Sequence, residues 1–213
     1  MVQAQNDYHL GELRIARDPA HPRHILPNIR PGEVVLDVGC GAGQTLIVCC
    51  PGNRSYGMDI DLDALRFGRT LTSEVLFACA SAESLPYPSG YFDVVVSRVT
   101  LLYTYLPASL AEIHRVLKPG GRAWLTLDTI HRPLKLARHT GTLKGCIWFS
   151  YVVVNSLLFH FTGKAFRLPG KPMESFQTPW RVRRTMQGIG FENIEIKVGT
   201  HFLVTAFKGK CRT

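Results

Sequence analysis

Short apolar runs alternate with amphipathic stretches along most of this chain. Glu33-Val-Val-Leu-Asp-Val38 is short, rich in β-branched residues and followed by glycines, the pattern of a buried strand. Arg54–Met58 (ending in Asp59), Glu74–Cys79, Phe92–Val96 and Arg122–Leu127 repeat it. Between them, residues 43–50 predict a helix stopped by Pro51-Gly52, and Asp61–Leu71 predicts a helix with Asp at its start. Leu106–Leu117 predicts an amphipathic helix closed by Lys118-Pro119-Gly120-Gly121. Residues 8–18 predict a short helix, and residues 181–188 a basic helix ending at Gly188. Phe191–Val198, Gly199 and Thr200–Phe207 read as a terminal hairpin. The alternation over the first 128 residues predicts an α/β fold, a doubly wound, mostly parallel sheet of seven strands. The hairpin supplies its one antiparallel strand.

The stretch 130–180 breaks this rhythm. Nineteen uncharged residues lie between Lys144 and Lys164, close to the ~20 that a membrane span needs. Ser150, Asn155, Ser156 and His160 interrupt the run, so a buried or lid helix is the commoner explanation. A peripheral membrane contact through 144–164 is the alternative, because basic residues flank it on both sides. At 213 residues the chain suits a single domain over 1–213. Residues 1–30 would form an N-terminal cap, and 130–180 an insertion after the fifth strand.

Charge sharpens the picture. Residues 1–129 are nearly balanced, whereas 130–213 carry 14 Lys/Arg against 3 Asp/Glu. That asymmetry points to an anionic partner or to a solvated basic face. Hydrophobic residues make up 46% of the chain, enough for a sizeable core, which excludes a disordered chain. The six cysteines form no C-x-x-C pair and have no zinc-ligand spacing, so no metal site is expected. They read as reduced thiols in a cytoplasmic setting. The opening MVQAQNDYHLGEL lacks the pattern of a secretion signal.

The candidate chemistry begins at Val35-Leu-Asp-Val-Gly-Cys-Gly-Ala-Gly-Gln44. A strand ends near Asp37, and glycines follow at 39, 41 and 43. Such glycines let the backbone turn sharply and let a ligand approach closely. The helix beginning near Gly43 offers unpaired N–H groups. The dinucleotide fingerprint would need glycine at position 44, where this chain has Gln44. Asp59 ends the second strand, 20 residues beyond Gly39, where a carboxylate can accept bonds from both ribose hydroxyls. Asp61 fits the role of a helix-starting residue better.

Four landmarks occur in order: VLDVGCGAGQ at 35–44, YGMDID at 56–61, SAESLPYPSGYFDVVVS at 81–97 and EIHRVLKPGGRAWL at 112–125. On these the chain resembles the class I S-adenosylmethionine-dependent methyltransferases, in particular the small-molecule group of the ubiquinone/menaquinone-biosynthesis type. The resemblance covers 33–129 motif by motif and 181–208 by helix and hairpin, and it implies a Rossmann-like sheet. It also implies S-adenosyl-L-methionine as cofactor, with S-adenosyl-L-homocysteine as product. Gly39, Gly41 and Gly43, with Cys40 among them, would line the methionine and ribose portions. Asp37 would orient the ammonium, Asp59 would bind the ribose, and Ile60 would pack on the adenine. Ser81, Ala82 and Glu83 would lie along the adenine edge, and the Ser97 carbonyl near the ammonium. Many relatives carry Asp where this chain has Ser81, a neutral and weaker acceptor.

Methyl transfer from a sulfonium is an in-line displacement that needs alignment and exclusion of water, with a base as the one optional catalyst. His131, directly after the fifth strand, is the candidate base. Arg98 and Tyr103 fall where acceptors bind in the family, and His160 and Trp148 lie in the apolar insertion. His114, mid-helix, is expected to face solvent. An apolar insertion with a cationic rim suits a lipophilic small-molecule acceptor: a quinol precursor, a lipid or a polyketide-like molecule. The competing reading is an RNA methyltransferase using the basic C-terminal part. Against it, aromatics and charges are segregated rather than interleaved, so nucleic acid is the weaker expectation.

Overall fold

Burial on both faces of the first strand sets the architecture of the computed structural model, which describes residues 2–127, 143–169, 173–199 and 202–210. In β1 (Val34–Val38), Leu36 and Val38 face one hydrophobic cluster and Val35 the other, all fully buried. β4 (Phe92–Arg98) repeats this, with Val95 on the first side and Val94 and Val96 on the second. Strands covered on both faces belong at the centre of a parallel sheet. β2 (Arg54–Asp59), β3 (Val75–Cys79) and β5 (Leu117–Leu127) complete its parallel part. β6 (Phe191–Val198) and β7 (Phe202–Lys208) form the hairpin. The order is β3-β2-β1-β4-β5-β7-β6, with β7 antiparallel to both neighbours. The expected seven-stranded, doubly wound α/β sheet is therefore present.

The order reverses between β1 and β4. From β1 the chain moves out to β2 and β3, then crosses back to β4. That switch falls between β1 and β4, and open α/β sheets bind ligands in a crevice outside the carboxyl ends of the strands at such a point.

Helices close both faces. α2 (Gln44–Cys49) packs Leu46 against Val35, Val94 and Trp124. On the other face, α4 (Leu106–Val116) and a later helix, Pro179–Ile189, contribute Leu110, Ile113, Val182 and Met186. α1 (Val2–Arg17) lies against both α2 and α3 (Leu62–Leu71). α5 (Leu143–Thr162) occupies the apolar insertion, and Pro179–Ile189 is α6.

Four boundaries or exposures differ from the sequence expectation. α1 begins at Val2, ahead of the expected 8–18. The Lys118–Gly121 stop does not separate helix from strand: β5 starts at Leu117, which pairs with Phe92, and the register then jumps so that Val94 meets Arg122. Lys118 anchors this bulge on the Asp93 carboxylate at 2.8 Å, and Gly121 is packed so tightly that an added Cβ would lie 2.9 Å from the Lys118 carbonyl. α6 runs through Gly188 to Gly190, whose φ of 108° makes the left-handed cap and whose N–H bonds to Met186 and Gln187 carbonyls. His114 does not face solvent. It is half-buried, edge-on to Phe191 at 4.9 Å, and burial, with Lys208 nearby, lowers its pKa.

Two helical glycines give opposite predictions for one substitution. A Cβ on Gly68 of α3 would meet the Ala42 carbonyl and the Phe77 ring, both at 2.9 Å, while one on Gly188 would meet nothing. Gly68→Ala should destabilise the fold by about 1–3 kcal/mol through overpacking. Gly188→Ala should stabilise it by about 0.5–1 kcal/mol through helix propensity. Urea denaturation of both variants measures the difference in sign.

Candidate functional site

The loop after β1 is a chain of left-handed turns. Gly39, Gly41 and Gly43 have φ of 76°, 55° and 82°, a region that costs L-residues strain. Space is also exhausted: a Cβ on Gly39 would lie 2.1 Å from Thr100 Oγ1, and one on Gly41 3.2 Å from the His9 ring. The loop is tied to β2 by its own amides. Gly39 and Cys40 N–H bond the Met58 carbonyl at 2.7 and 3.0 Å.

Asp59 braces this junction. Its Oδ2 accepts the Gly41 N–H at 2.8 Å and its Oδ1 the Asp61 N–H at 3.0 Å. A carboxylate has about four lone-pair sites, so two remain for a ligand. Asp61 takes the capping role expected of it, accepting the Asp63 and Ala64 N–H groups at the start of α3.

Asp37 is the electrostatic centre of the site. Its side chain is buried, and Oδ1 has no hydrogen-bond partner. Burial pushes its pKa up to about 7, although the Arg98 guanidinium and a hydrogen bond with Thr45 pull it down. Arg98 itself is held by Thr45 Oγ1 at 3.2 Å and lies 4.0 Å from Glu12 of α1. Ser97, fully buried, donates its hydroxyl to the Val38 carbonyl at 2.8 Å. Cys40 is buried in the loop, and its thiol pKa is raised well above the ordinary range by burial.

Two features of the site have no counterpart in the sequence reading. The first is His9 of α1, which lies over the glycine loop. Gln44 Nε2 is 3.3 Å from the His9 carbonyl and 2.9 Å from Nδ1. The carbonyl can only accept, so the nitrogen of that amide faces it and donates to both atoms. His9 Nδ1 is then the acceptor and Nε2 carries the proton. That N–H is buried and unpartnered, and burial lowers the histidine's pKa. The second is the turn after β4. Val99 sits at φ 55°, strained for a β-branched residue. Its N–H bonds Thr126, and Thr100 Oγ1 donates to the Gly39 carbonyl at 3.2 Å. The strain seats Thr100 against the glycine loop.

The adenine-side candidates form a second group after β3. Ser81 Oγ accepts the Glu83 N–H, and Ala82 is buried. Glu83 turns towards α4 and the segment after α5, accepting from Tyr105 N–H at 2.9 Å and Arg167 at 3.0 Å. The Glu112–Arg115 pair of α4 holds this loop through Leu85 and Tyr87. Ile60, 75% exposed, stands on the rim.

Asp37, Gly39, Cys40, Gly41, Gly43, Asp59 and Ser97 thus gather at the loop after β1 and the adjoining ends of β2 and β4, with Arg98 bonded to Thr45 beside them. Tyr103 stands half-exposed on the one-turn helix Leu101–Tyr103. Trp148 and His160 belong to a different neighbourhood. Trp148 bonds Glu174 at 3.0 Å, and His160 Nδ1 pairs with Thr178 at 2.8 Å. His131 lies outside the described residues.

A family model described as a methyltransferase domain matches residues 36–125. The ubiquinone/menaquinone biosynthesis C-methyltransferase UbiE of Cupriavidus pinatubonensis is 30% identical over 179 residues, 79% of this chain and 71% of that protein. Its namesake from Burkholderia vietnamiensis is 36% identical over 134 residues, 57% of this chain and 54% of that protein, so the chain spans about half of that relative's length. Among solved structures, a SAM-dependent methyltransferase from Methanosarcina mazei superposes with TM-score 0.59 at 21% identity, covering 85% of this chain and 95% of that one. Phosphoethanolamine N-methyltransferase 2 of Haemonchus contortus, in complex with S-adenosyl-L-methionine, superposes at 0.62 with 15% identity, covering 87% and 50%. These structures establish the shared fold.

Fold and matches together define a class I methyltransferase with S-adenosylmethionine as its cofactor. Within that class the chain belongs to the UbiE-type family.

The buried carboxyl makes a stability prediction for the ligand-free protein. Unfolded, Asp37 ionises near the ordinary 3.8; folded, it keeps its proton to about 7. Between those values the native state holds a proton that the unfolded chain has released. Raising the pH through this window therefore removes stability, roughly 4 kcal/mol in all. Asp37→Asn should flatten the slope and raise the urea midpoint at pH above the folded pKa. Denaturation series on both proteins measure this; parallel pH profiles would show that Asp37 is already ionised in the fold.

Proposed function

We propose that this chain transfers a methyl group from S-adenosylmethionine to a ring carbon of a lipophilic, quinol-type acceptor. The observation that carries the acceptor class is the 30% identity over 79% of the chain to a ubiquinone/menaquinone biosynthesis C-methyltransferase. The apolar α5 beside the domain supports a lipophilic acceptor.

The crevice fits the cofactor on its own chemistry. Its buried groups without partners include an acceptor on Asp37 and N–H donors on His9 and Arg98. Those are the complements of the two charged ends of an amino acid. Asp37 Oδ1 accepts from the cofactor's ammonium, and His9 Nε2 donates to its carboxylate. The remaining lone pairs of Asp59 take the ribose hydroxyls, and Ile60 packs on the adenine. Gly39, Gly41 and Gly43 line the methionine and ribose, and Ser97, Ser81, Ala82 and Glu83 bound the rest of the cleft. When bound, the cofactor's sulfonium supplies a methyl group already activated for in-line displacement. The chain's task is alignment and exclusion of water. A ring carbon becomes a better nucleophile as a neighbouring hydroxyl loses its proton, which calls for a base. His131 is the proposed base, on its position after β5 alone. Arg98 and Tyr103 are proposed to border the acceptor.

His9→Ala and Asp59→Ala should each weaken S-adenosylhomocysteine binding by roughly tenfold or more, the worth of a hydrogen bond to a charged group. Titration calorimetry reads this directly. Incubation with labelled cofactor and a quinol analogue in detergent should place the label on a ring carbon. Label on oxygen, or no transfer by protein that binds the cofactor, would overturn the acceptor assignment.

A further inference from the structure

α5 is apolar on two sides. One side is bound into the domain: Val152 and Phe159 are buried with Asn155 and Ser156. Asn155 accepts the Phe166 N–H at 2.9 Å and donates to the Glu174 carbonyl at 3.2 Å; Ser156 accepts the Phe176 N–H at 2.9 Å. The opposite side is open. Ile147, Val154, Leu157 and Phe161 are 63, 55, 49 and 73% exposed, with Leu158 beside them. Their spacing of three, four and seven residues puts them in one stripe along the helix. Soluble surfaces rarely carry such a contiguous apolar patch without a partner.

The surroundings are cationic. Lys144 and Lys164 stand exposed at the two ends of the helix. Trp180, half-exposed, lies 5.2 Å from the His160 ring, which is 4.9 Å from Phe161; Arg184 stacks on Trp180 at 5.4 Å. Between Asp128 and Glu174 the sequence has seven Lys/Arg and no acidic residue. A second copy of this chain would set like charges against each other. A bilayer with anionic headgroups would receive both the apolar stripe and its basic ends. The polar stitches from Asn155 and Ser156 tie α5 to the segment that follows it, and Phe159 joins the core cluster of the sheet, so the helix lies along a surface instead of crossing it.

We infer that the outward face of α5, from Ile147 to Phe161 with Lys144 and Lys164 at its ends, docks the protein on the surface of an anionic lipid bilayer. The inference extends the lipophilic-acceptor reading, giving such an acceptor a route from the bilayer, but its geometry stands without it.

Co-sedimentation with vesicles tests the docking. Wild type should bind phosphatidylcholine vesicles containing phosphatidylglycerol roughly tenfold or more tightly than phosphatidylcholine alone, with binding weakened by salt. Leu157→Ser/Phe161→Ser should lose at least tenfold of that binding and keep its thermal shift with S-adenosylhomocysteine. Lys144→Glu/Lys164→Glu, which leaves the stripe intact, should lose the preference for anionic lipid. Wild type that stays in the supernatant with both vesicles, or serine and glutamate variants that bind as wild type does, would overturn the inference. So would a lipid-free dimer in sedimentation velocity that the serine variant dissociates, or resistance of cell membranes carrying wild type to alkaline carbonate extraction. Vesicle binding is read without an acceptor. Its loss with ring methylation intact in detergent condemns the docking alone; the reverse result condemns the acceptor reading alone.

Discussion

A carboxylate enclosed at the end of β1, with one oxygen unsatisfied, is the constraint around which the crevice is organised. Burying a charge without a full set of partners is costly, and the group answers by holding its proton. Asp37 does so until about pH 7, with Thr45 and Arg98 as partial compensation. In the proposed complex the cofactor's ammonium would offset this cost. A ligand bringing an ammonium to Oδ1 would stabilise the ionised form, so binding such a ligand and releasing a proton are linked events. The neutral His9 supplies the opposite specialisation, a buried donor waiting for an anion. Between them, an apolar ligand would leave both groups unmatched.

The backbone around that pair is held from three directions. The Met58 carbonyl and Asp59 fix the loop from β2, Thr100 fixes it from β4, and α1 closes it from above through His9 and Gln44. Each tie crosses between elements that the parallel sheet brings side by side. The strained Val99 is intelligible in that setting, because relaxing it would withdraw Thr100 from Gly39. Local strain of this kind persists only where the surroundings over-determine it.

How much of this the sequence discloses depends on the range of the interaction. β1 and β4 are legible because a short apolar, β-branched run is a local pattern, and Asp37, Gly39, Gly41, Gly43 and Asp59 because turn geometry and strand ends leave residue-level marks. His9 leaves none: its partner Gln44 is 35 residues away, and a histidine in an amphipathic helix looks like any other. Thr100 is equally silent, 61 residues from Gly39. Gly188 and Gly190 show the same limit at short range. Both can end a helix; the left-handed φ and the cap bonds fall at Gly190, beside which His114 and Phe191 pack. The Lys118–Gly121 stop is read correctly as a break and incorrectly as a boundary, because Asp93 captures Lys118 and keeps the strand paired across it.

α5 poses the sharpest version of that problem. Nineteen uncharged residues are compatible with a span, a core helix or a surface helix, since hydropathy counts residues without assigning them to faces. The decision rests on two polar side chains. Asn155 and Ser156 interrupt the apolar run in sequence, and in the fold they are the residues that bind the helix to the segment following it. In a bilayer interior those groups would need other partners; against the domain they have them. What remains on the far side is a stripe with no polar side chain but Ser150, bounded by lysines. The segment that follows α5 also reaches the loop after β3, where Arg167 pairs with Glu83 at 3.0 Å. One covalent stretch therefore joins the outward-facing helix to the loop after β3.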